Sequence, residues 1–176
     1  MTEQQFILNQ ESYKDVAQTL KKGKITWESP SNIALVKYWG KKKDQIPENP
    51  SISFTLTNCK TITSLSFSEK ENDLEFSFEV FLDDERKDDF KPKIETFFKR
   101  VELYLPFLKD YHFKIETTNT FPHSSGIASS ASGMSALALC LMSMERQFVL
   151  TIDESYFNKK ASLLARLGPG SACRSI

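Results

Sequence analysis

The sequence predicts a single lobe of α/β or α+β class, and three observations carry that reading. Segments with strand and helix periodicity are interspersed along the chain, without an internal repeat or a linker between them. The length, 176 residues, suits one domain and not two large ones. With 40% hydrophobic and 12% aromatic residues there is enough apolar surface for a core, and a chain of this size buries roughly 70% of its unfolded surface. A charged fraction of 26% is ordinary for a globular domain, so composition excludes disorder, collagen and a disulfide scaffold.

Taken in order, Ser12 and Asp15 read as a helix cap, with Tyr13, Val16 and Leu20 at helical spacing and Gly23 as the stop. Strand-like runs follow at Lys24–Glu28, Ile33–Tyr38, Ser51–Thr57 and Thr61–Phe67. The strict alternation of Leu74–Val80 predicts a half-exposed strand, and Asp83–Asp89 a solvated turn. Pro92 suits the first turn of a helix reaching about Tyr104, with Ile94, Phe97, Phe98, Val101 and Leu105 inward. Tyr111–Thr117 alternates as a further strand, and a small-residue loop at 119–130 leads into a helix over about 129–146. Asp153 caps a last helix, which Gly168-Pro169-Gly170 ends.

Charge is balanced, with 23 basic and 23 acidic side chains, but unevenly distributed. Residues 69–89 hold ten acids against three bases, a net of −7 that leaves +7 on the remainder, which suggests that the remainder meets an anion. Nucleic acid is disfavoured, because no basic stripe accompanies the zero net charge. Cys59, Cys140 and Cys173 have neither metal-site nor redox spacing, and His112 and His123 are too few for a histidine-rich metal site. No secretory pattern opens the chain and no apolar run is long enough to span a bilayer. The chain reads as soluble and cytoplasmic, with reduced thiols.

Five of the six glycines fall in three short segments rich in Ser, Lys or Arg. In Asn119–Gly133, hydroxyls and small residues precede a helix whose free amides and dipole favour a phosphate; a plain serine-capped helix start is the competing reading. Asn32–Lys43 brings lysines, Tyr38 and Trp39 to the end of an apolar strand, either around an anion or as a solvated turn. Gly168–Ser175 offers Arg174 as a bidentate fork beside flexible backbone, or a helix stop with a surface arginine. Cys173 reads as a small buried residue rather than a nucleophile, since no dedicated base is near it in sequence.

In this order the three segments resemble the diphosphomevalonate decarboxylase family, within the superfamily of galactokinase, homoserine kinase, mevalonate kinase and phosphomevalonate kinase. Asn32-Ile33-Ala34 with Lys37-Tyr38-Trp39-Gly40-Lys41 resembles the family's opening signature, and Phe121-Pro122 with Gly126-Ile127-Ala128-Ser129-Ser130-Ala131 the superfamily's phosphate loop. Gly170-Ser171-Ala172-Cys173-Arg174-Ser175 resembles the third signature, and Ile46–Ser53 the loop and strand between the first two. The resemblance covers about residues 25–176. It implies an α+β, two-layer lobe with a left-handed β-α-β crossover, the reverse of the usual hand. Residues 1–23 would be an N-terminal, helical extension, and 24–176 an ATP- and substrate-binding lobe without the second lobe that family members carry.

The implied activity is the ATP-dependent decarboxylation of (R)-5-diphosphomevalonate to isopentenyl diphosphate, a carboxy-lyase step of the mevalonate pathway of isoprenoid biosynthesis. ATP and Mg²⁺ would be the cofactors, with no nucleic-acid or membrane partner, and the full-length form a homodimer. The alternatives are a relative acting on mevalonate or phosphomevalonate, as a 3-kinase or a decarboxylase, and an inert N-terminal fragment. Carried over by position, Tyr38, Trp39, Lys41, Ser171 and Arg174 would bind the substrate, and Arg174 and Lys37 would stand at the reacting groups. Ser124, Ser125, Gly126, Ala128, Ser129 and Ser130 would cradle the ATP phosphates. The family's catalytic aspartate has no counterpart here; Asp44 and Asp153 read as turn and cap residues. Pro169 stands where the family usually has Ser, and His123-Ser124-Ser125 where it usually has Thr-Ala-Ala.

Overall fold

Strand β1 (Lys22–Val36) and strand β2 (Ile52–Glu69) form a long antiparallel ribbon that begins the sheet. These relations come from a computed structural model describing residues 3–8, 13, 20–122 and 125–176. Of the helix expected over Ser12–Gly23, all but Tyr13 and 20–23 lies outside the described residues; Tyr13 is buried and donates a hydrogen bond to Asp110 Oδ2. Strands β3 (Ser77–Leu82), β4 (Glu85–Arg86) and β5 (Tyr111–Asn119) complete a mixed sheet of order β1-β2-β5-β3-β4. The fold is α+β. Helix α1 (Lys91–Val101) lies in the connection between the parallel strands β3 and β5, which makes this the β-α-β unit. Helices α2 (Ser129–Phe148) and α3 (Glu154–Leu167) follow, and a 3-10 segment, Gly170–Ser175, closes the chain.

Four expected strand runs merge into two. Pro30 breaks the apolar pattern of β1 without ending the strand, because β1 is an edge strand whose outer side can accommodate a missing N–H. The register jumps there, from Pro30↔Lys60 to Ser31↔Leu56, so Thr57, Asn58 and Cys59 bulge out of β2. The strand expected at Leu74 begins instead at Ser77. Asn72 Oδ1 accepts from the Leu74 N–H and Lys70 Nζ donates to the Leu74 carbonyl, so side chains satisfy that backbone before a ladder can. The acidic turn is ordered: Asp83 and Asp84 both adopt positive φ, 51° and 64°, as a two-residue hairpin demands. Asp83 is tied to β5 through Thr118 and through its own N–H to the Thr117 carbonyl. Helix α1 stops at Val101, before the expected Tyr104, and Leu105 precedes Pro106 with non-helical backbone.

The core lies between one face of the sheet and the helices. Thr61, Thr63, Leu65 and Phe67 of β2 and Phe113 and Ile115 of β5 point into it. Phe98 of α1 is its aromatic centre, meeting Phe76, Phe78 and Phe113 edge-on at centroid distances of 5.3 to 5.9 Å. The opposite face carries Lys24, Thr26, Ser64, Ser66, Lys114 and Glu116, partly to fully exposed. Between α2 and α3 the core encloses an ion pair: Lys160 Nζ donates to Glu145 Oε1 at 2.5 Å and to the Tyr104 carbonyl at 3.1 Å, while Glu145 Oε2 has no hydrogen-bond partner among the described residues. Burial pushes the Glu145 carboxyl up and the Lys160 ammonium down, each toward its neutral form.

Candidate functional site

Three polar residues of β1, all buried, organise two loops. The Ser31 hydroxyl donates to the Ile127 carbonyl, in the loop before α2. Ser29 donates to the Ser175 carbonyl at 2.6 Å, and Asn32 to the Ser175 hydroxyl at 2.8 Å. Ser135 of α2 donates to the Ala172 carbonyl, and Arg100 of α1 donates to the carbonyl at the end of α3, Leu167, at 3.0 Å. The Gly170–Ser175 segment is thereby pinned to β1 and α2.

At the start of α2, Gly126 has φ 81° and Ala128 φ 62°, a left-handed turn uncommon for a residue with a Cβ. Among the described residues no side chain caps the helix, which leaves its first amides with capacity for an anion. Beneath them a cavity of about 340 Å³ opens between the sheet, α1 and α2. Its walls include Val80, Ile94, Ile115 and Leu137, and Ser129, Ser130 and Lys93 also line it. Ser129 and Ser130, two of the residues expected to cradle phosphate, both line this cavity. Ser125 is exposed, and Gly126 and Ala128 shape the loop; these three do not line the cavity. Ser124 lies outside the described residues. Lys93 is the residue that sequence reasoning missed. It donates to Ser130 Oγ, and burial lowers its pKa, so its ammonium gains from an anionic neighbour. Helical periodicity marks only the apolar face of α1, and Lys93 belongs to none of the three motif segments.

The second cluster forms where the loop after β1 meets the 3-10 segment. The loop folds on itself through the Lys41↔Pro47 bridge and the Lys42 N–H to the Ile46 carbonyl at 2.8 Å, with Asp44 and Gln45 both at positive φ. Asp44 is thus a turn residue, as expected, and Asp153 is a cap, its Oδ1 accepting from the Tyr156 N–H at 2.7 Å. Lys41 Nζ and Arg174 Cζ each lie 5.8 Å from the centre of the Tyr38 ring. Gly170 is packed so closely that a Cβ there would stand 3.0 Å from Tyr38 Oη and 3.6 Å from Lys41 Cε. Tyr38, Lys41 and Arg174 are therefore brought together around Gly170, two cations beside one phenol. Lys37 is exposed and Trp39 is 82% exposed, so neither is packed into this cluster. Ser171 is half-buried and donates to the carbonyl of Pro169 at 3.1 Å.

Cys173 sits beside Arg174 but behaves as a packed residue. Its thiol donates to the Gly170 carbonyl, and burial raises its pKa despite the neighbouring arginine charge. Cys140, fully buried, is pushed up to about 12. Alkylation at about pH 8 is therefore expected to modify Cys59, which is partly exposed, at least tenfold faster than Cys140 or Cys173. Peptide mapping by mass spectrometry over a time course reads this, and equal rates at Cys59 and Cys173 would contradict it.

The candidate site thus comprises the start of α2, the cavity beneath it, and two cations, Lys41 and Arg174, beside Tyr38. The description Diphosphomevalonate decarboxylase-like N-terminal domain fits residues 29–176. The chain belongs to this family. It is 37% identical over 158 residues to the diphosphomevalonate decarboxylase of Debaryomyces hansenii, covering 84% of this chain and 39% of that protein. It is 35% identical to the enzyme of the same name from Saccharomyces cerevisiae, covering 84% and 38% respectively. Among solved structures, the mevalonate diphosphate decarboxylase of Staphylococcus aureus aligns with a TM-score of 0.66 at 36% identity, over 89% of this chain and 44% of that one. A complex of MDDEF with MVAPP, AMPPCP and magnesium aligns with a TM-score of 0.68 at 33% identity, over 89% and 44%. The chain thus spans about two fifths of the length of the curated relatives it matches. Among the described residues, no helix is long and apolar enough to cross a membrane.

Proposed function

We propose that this chain provides the ATP- and substrate-binding lobe for the ATP-dependent decarboxylation of (R)-5-diphosphomevalonate to isopentenyl diphosphate, in the cytoplasm. The observation that carries the reading is the convergence of Tyr38, Lys41 and Arg174 on Gly170, a basic cluster suited to a diphosphate and a carboxylate. A family neighbour bound to MVAPP, AMPPCP and magnesium supports it. The uncapped start of α2, with Ser129, Ser130 and Lys93, would receive the nucleotide's phosphates, and the apolar cavity below would exclude water from its remainder. Among the described residues no group of three His, Cys, Asp or Glu side chains converges, so these residues suit a magnesium ion carried on the nucleotide's phosphates and not a cage of protein ligands.

The chemistry asks mainly for positioning and charge stabilisation. The substrate's tertiary hydroxyl takes the terminal phosphoryl group of ATP, giving ADP. The C–O bond to that phosphate then breaks with the electron pair leaving on phosphate. The bond to the carboxylate breaks next, and its electrons form the new double bond as CO₂ departs. Arg174 would hold the carboxylate and orient the bond that breaks, while Lys41 and Tyr38 would hold the diphosphate. As the oxygen bonds to phosphorus, the proton on the tertiary hydroxyl would pass to a carboxylate base, the role of the aspartate that family members carry in their second lobe.

Calorimetric titration of the 176-residue chain with diphosphomevalonate, phosphomevalonate, mevalonate and AMPPCP tests this, with CO₂ release followed in parallel. The expected result is binding of AMPPCP and a preference for diphosphomevalonate over its less phosphorylated analogues. Tighter binding of phosphomevalonate would assign the site to a relative with that substrate, and absence of binding to all four would overturn the reading.

A further inference from the structure

We infer that Asn49 is a positioning residue that clamps Tyr38 in place, an assignment resting on the function proposed above for the Tyr38–Arg174 cluster. The loop after β1 has lost its ladder: the last pair with β2 is Val36↔Ile52. Asn49 replaces the ladder with one side chain. Its Oδ1 accepts from the Trp39 N–H at 2.7 Å, and its Nδ2 donates to the Lys37 carbonyl at 3.2 Å and to the Pro50 carbonyl at 2.8 Å. The Lys37 carbonyl belongs to the peptide group before the Tyr38 Cα, and the Trp39 N–H to the one after it. Both peptide planes flanking Tyr38 are therefore bonded to the same amide, which fixes the two backbone torsions of Tyr38. With those torsions set, the phenol stands beside Gly170 with the Lys41 and Arg174 cations around its ring.

Only asparagine has the required set of groups at that reach. Aspartate keeps the acceptor for Trp39 but presents a carboxylate to two carbonyl oxygens, and alanine removes all three bonds. The Asn49 side chain bonds the backbone of Lys37 and Trp39, on either side of Tyr38, and that of Pro50; it acts through Tyr38. This gives a physical reason for the Ile46–Ser53 segment in which it lies, which supplies none of the cationic side chains of the cluster.

The test compares the wild type with Asn49→Ala and Asn49→Asp in two measurements. The first needs no ligand: amide hydrogen exchange at Trp39, whose N–H is held by this side chain. Exchange should accelerate about tenfold or more in Asn49→Ala, and an unchanged rate overturns the clamp. The second is the affinity for diphosphomevalonate and for AMPPCP. Both variants should bind diphosphomevalonate about tenfold or more weakly while AMPPCP affinity stays within about twofold of wild type. Unchanged diphosphomevalonate affinity overturns the positioning role, and so does an equal loss for both ligands accompanied by a lower melting temperature. A wild type that binds no diphosphomevalonate, yet shows the Trp39 exchange effect, would keep the clamp and overturn the function it was assigned to serve.

Discussion

Replacing Arg174 by Ala is expected to lower ATP-dependent CO₂ release from diphosphomevalonate by about 10²–10³-fold, measured on a longer polypeptide that contains this chain and supplies the catalytic aspartate. The guanidinium is held over the Tyr38 ring on a segment that β1 and α2 pin from two sides, so its direction is set before a ligand arrives. In the proposed role, removing it would cost a bidentate, charge-assisted grip on a carboxylate and also the alignment of the bond that must break. Turnover should therefore fall at least as far as affinity. Arg174→Lys keeps the charge and loses the fork, and should recover only part of the rate. A variant with normal turnover and a raised KM alone would mean that Arg174 contributes uniform binding and nothing specific to the transition state.

Lys160→Ala is expected to destabilise the fold strongly, by about 3–5 kcal/mol in urea or thermal unfolding. Neither member of the pair is more than 1% exposed, so removing the ammonium strands the Glu145 carboxylate in an apolar surrounding and leaves the Tyr104 carbonyl without its donor. The deficit carries a pH signature. Burial raises the Glu145 pKa, and losing Lys160 removes the charge that opposes that rise. A carboxyl whose folded-state pKa is raised contributes stability at low pH and loses it as pH climbs, so the gap from wild type should widen from about pH 5 to about pH 8. Replacing both members, Glu145→Leu with Lys160→Met, should lie much closer to wild type, because no charge is then left unpaired. Equal destabilisation by the single and the double change would show that packing, and not the stranded charge, sets the cost.

Local chemistry was legible in the sequence, and long-range pairing was not. The inner face of α1, the Asp153 cap and the stop at Gly168 follow from periodicity and capping, which act within a few residues. The joining of two runs across Pro30 depends on β1 lying at the sheet edge, a fact of strand order. The shortening of β3 depends on Asn72 and Lys70 competing for the backbone of Leu74. The same division applies to the site. Motif residues such as Tyr38, Lys41, Ser129, Ser130 and Arg174 could be named because they are adjacent within short signatures. Lys93 could not, since it reaches Ser130 across 37 positions of sequence. Buried Ser29 and Ser31 resemble ordinary strand residues until the Gly170–Ser175 segment and the loop before α2 are seen to hang from them.

The two sides of the sheet also divide the consequences of mutation. The side bearing Lys24, Ser66, Lys114 and Glu116 faces away from the helices, while strand neighbours such as Leu65, Phe113 and Ile115 face the core. Substitutions on it can change the protein's surface charge while the cavity under α2 and the Gly170 cluster keep their geometry, because distant sites without shared partners act additively. Drift in solubility and drift in chemistry are thereby free to proceed independently in one small lobe.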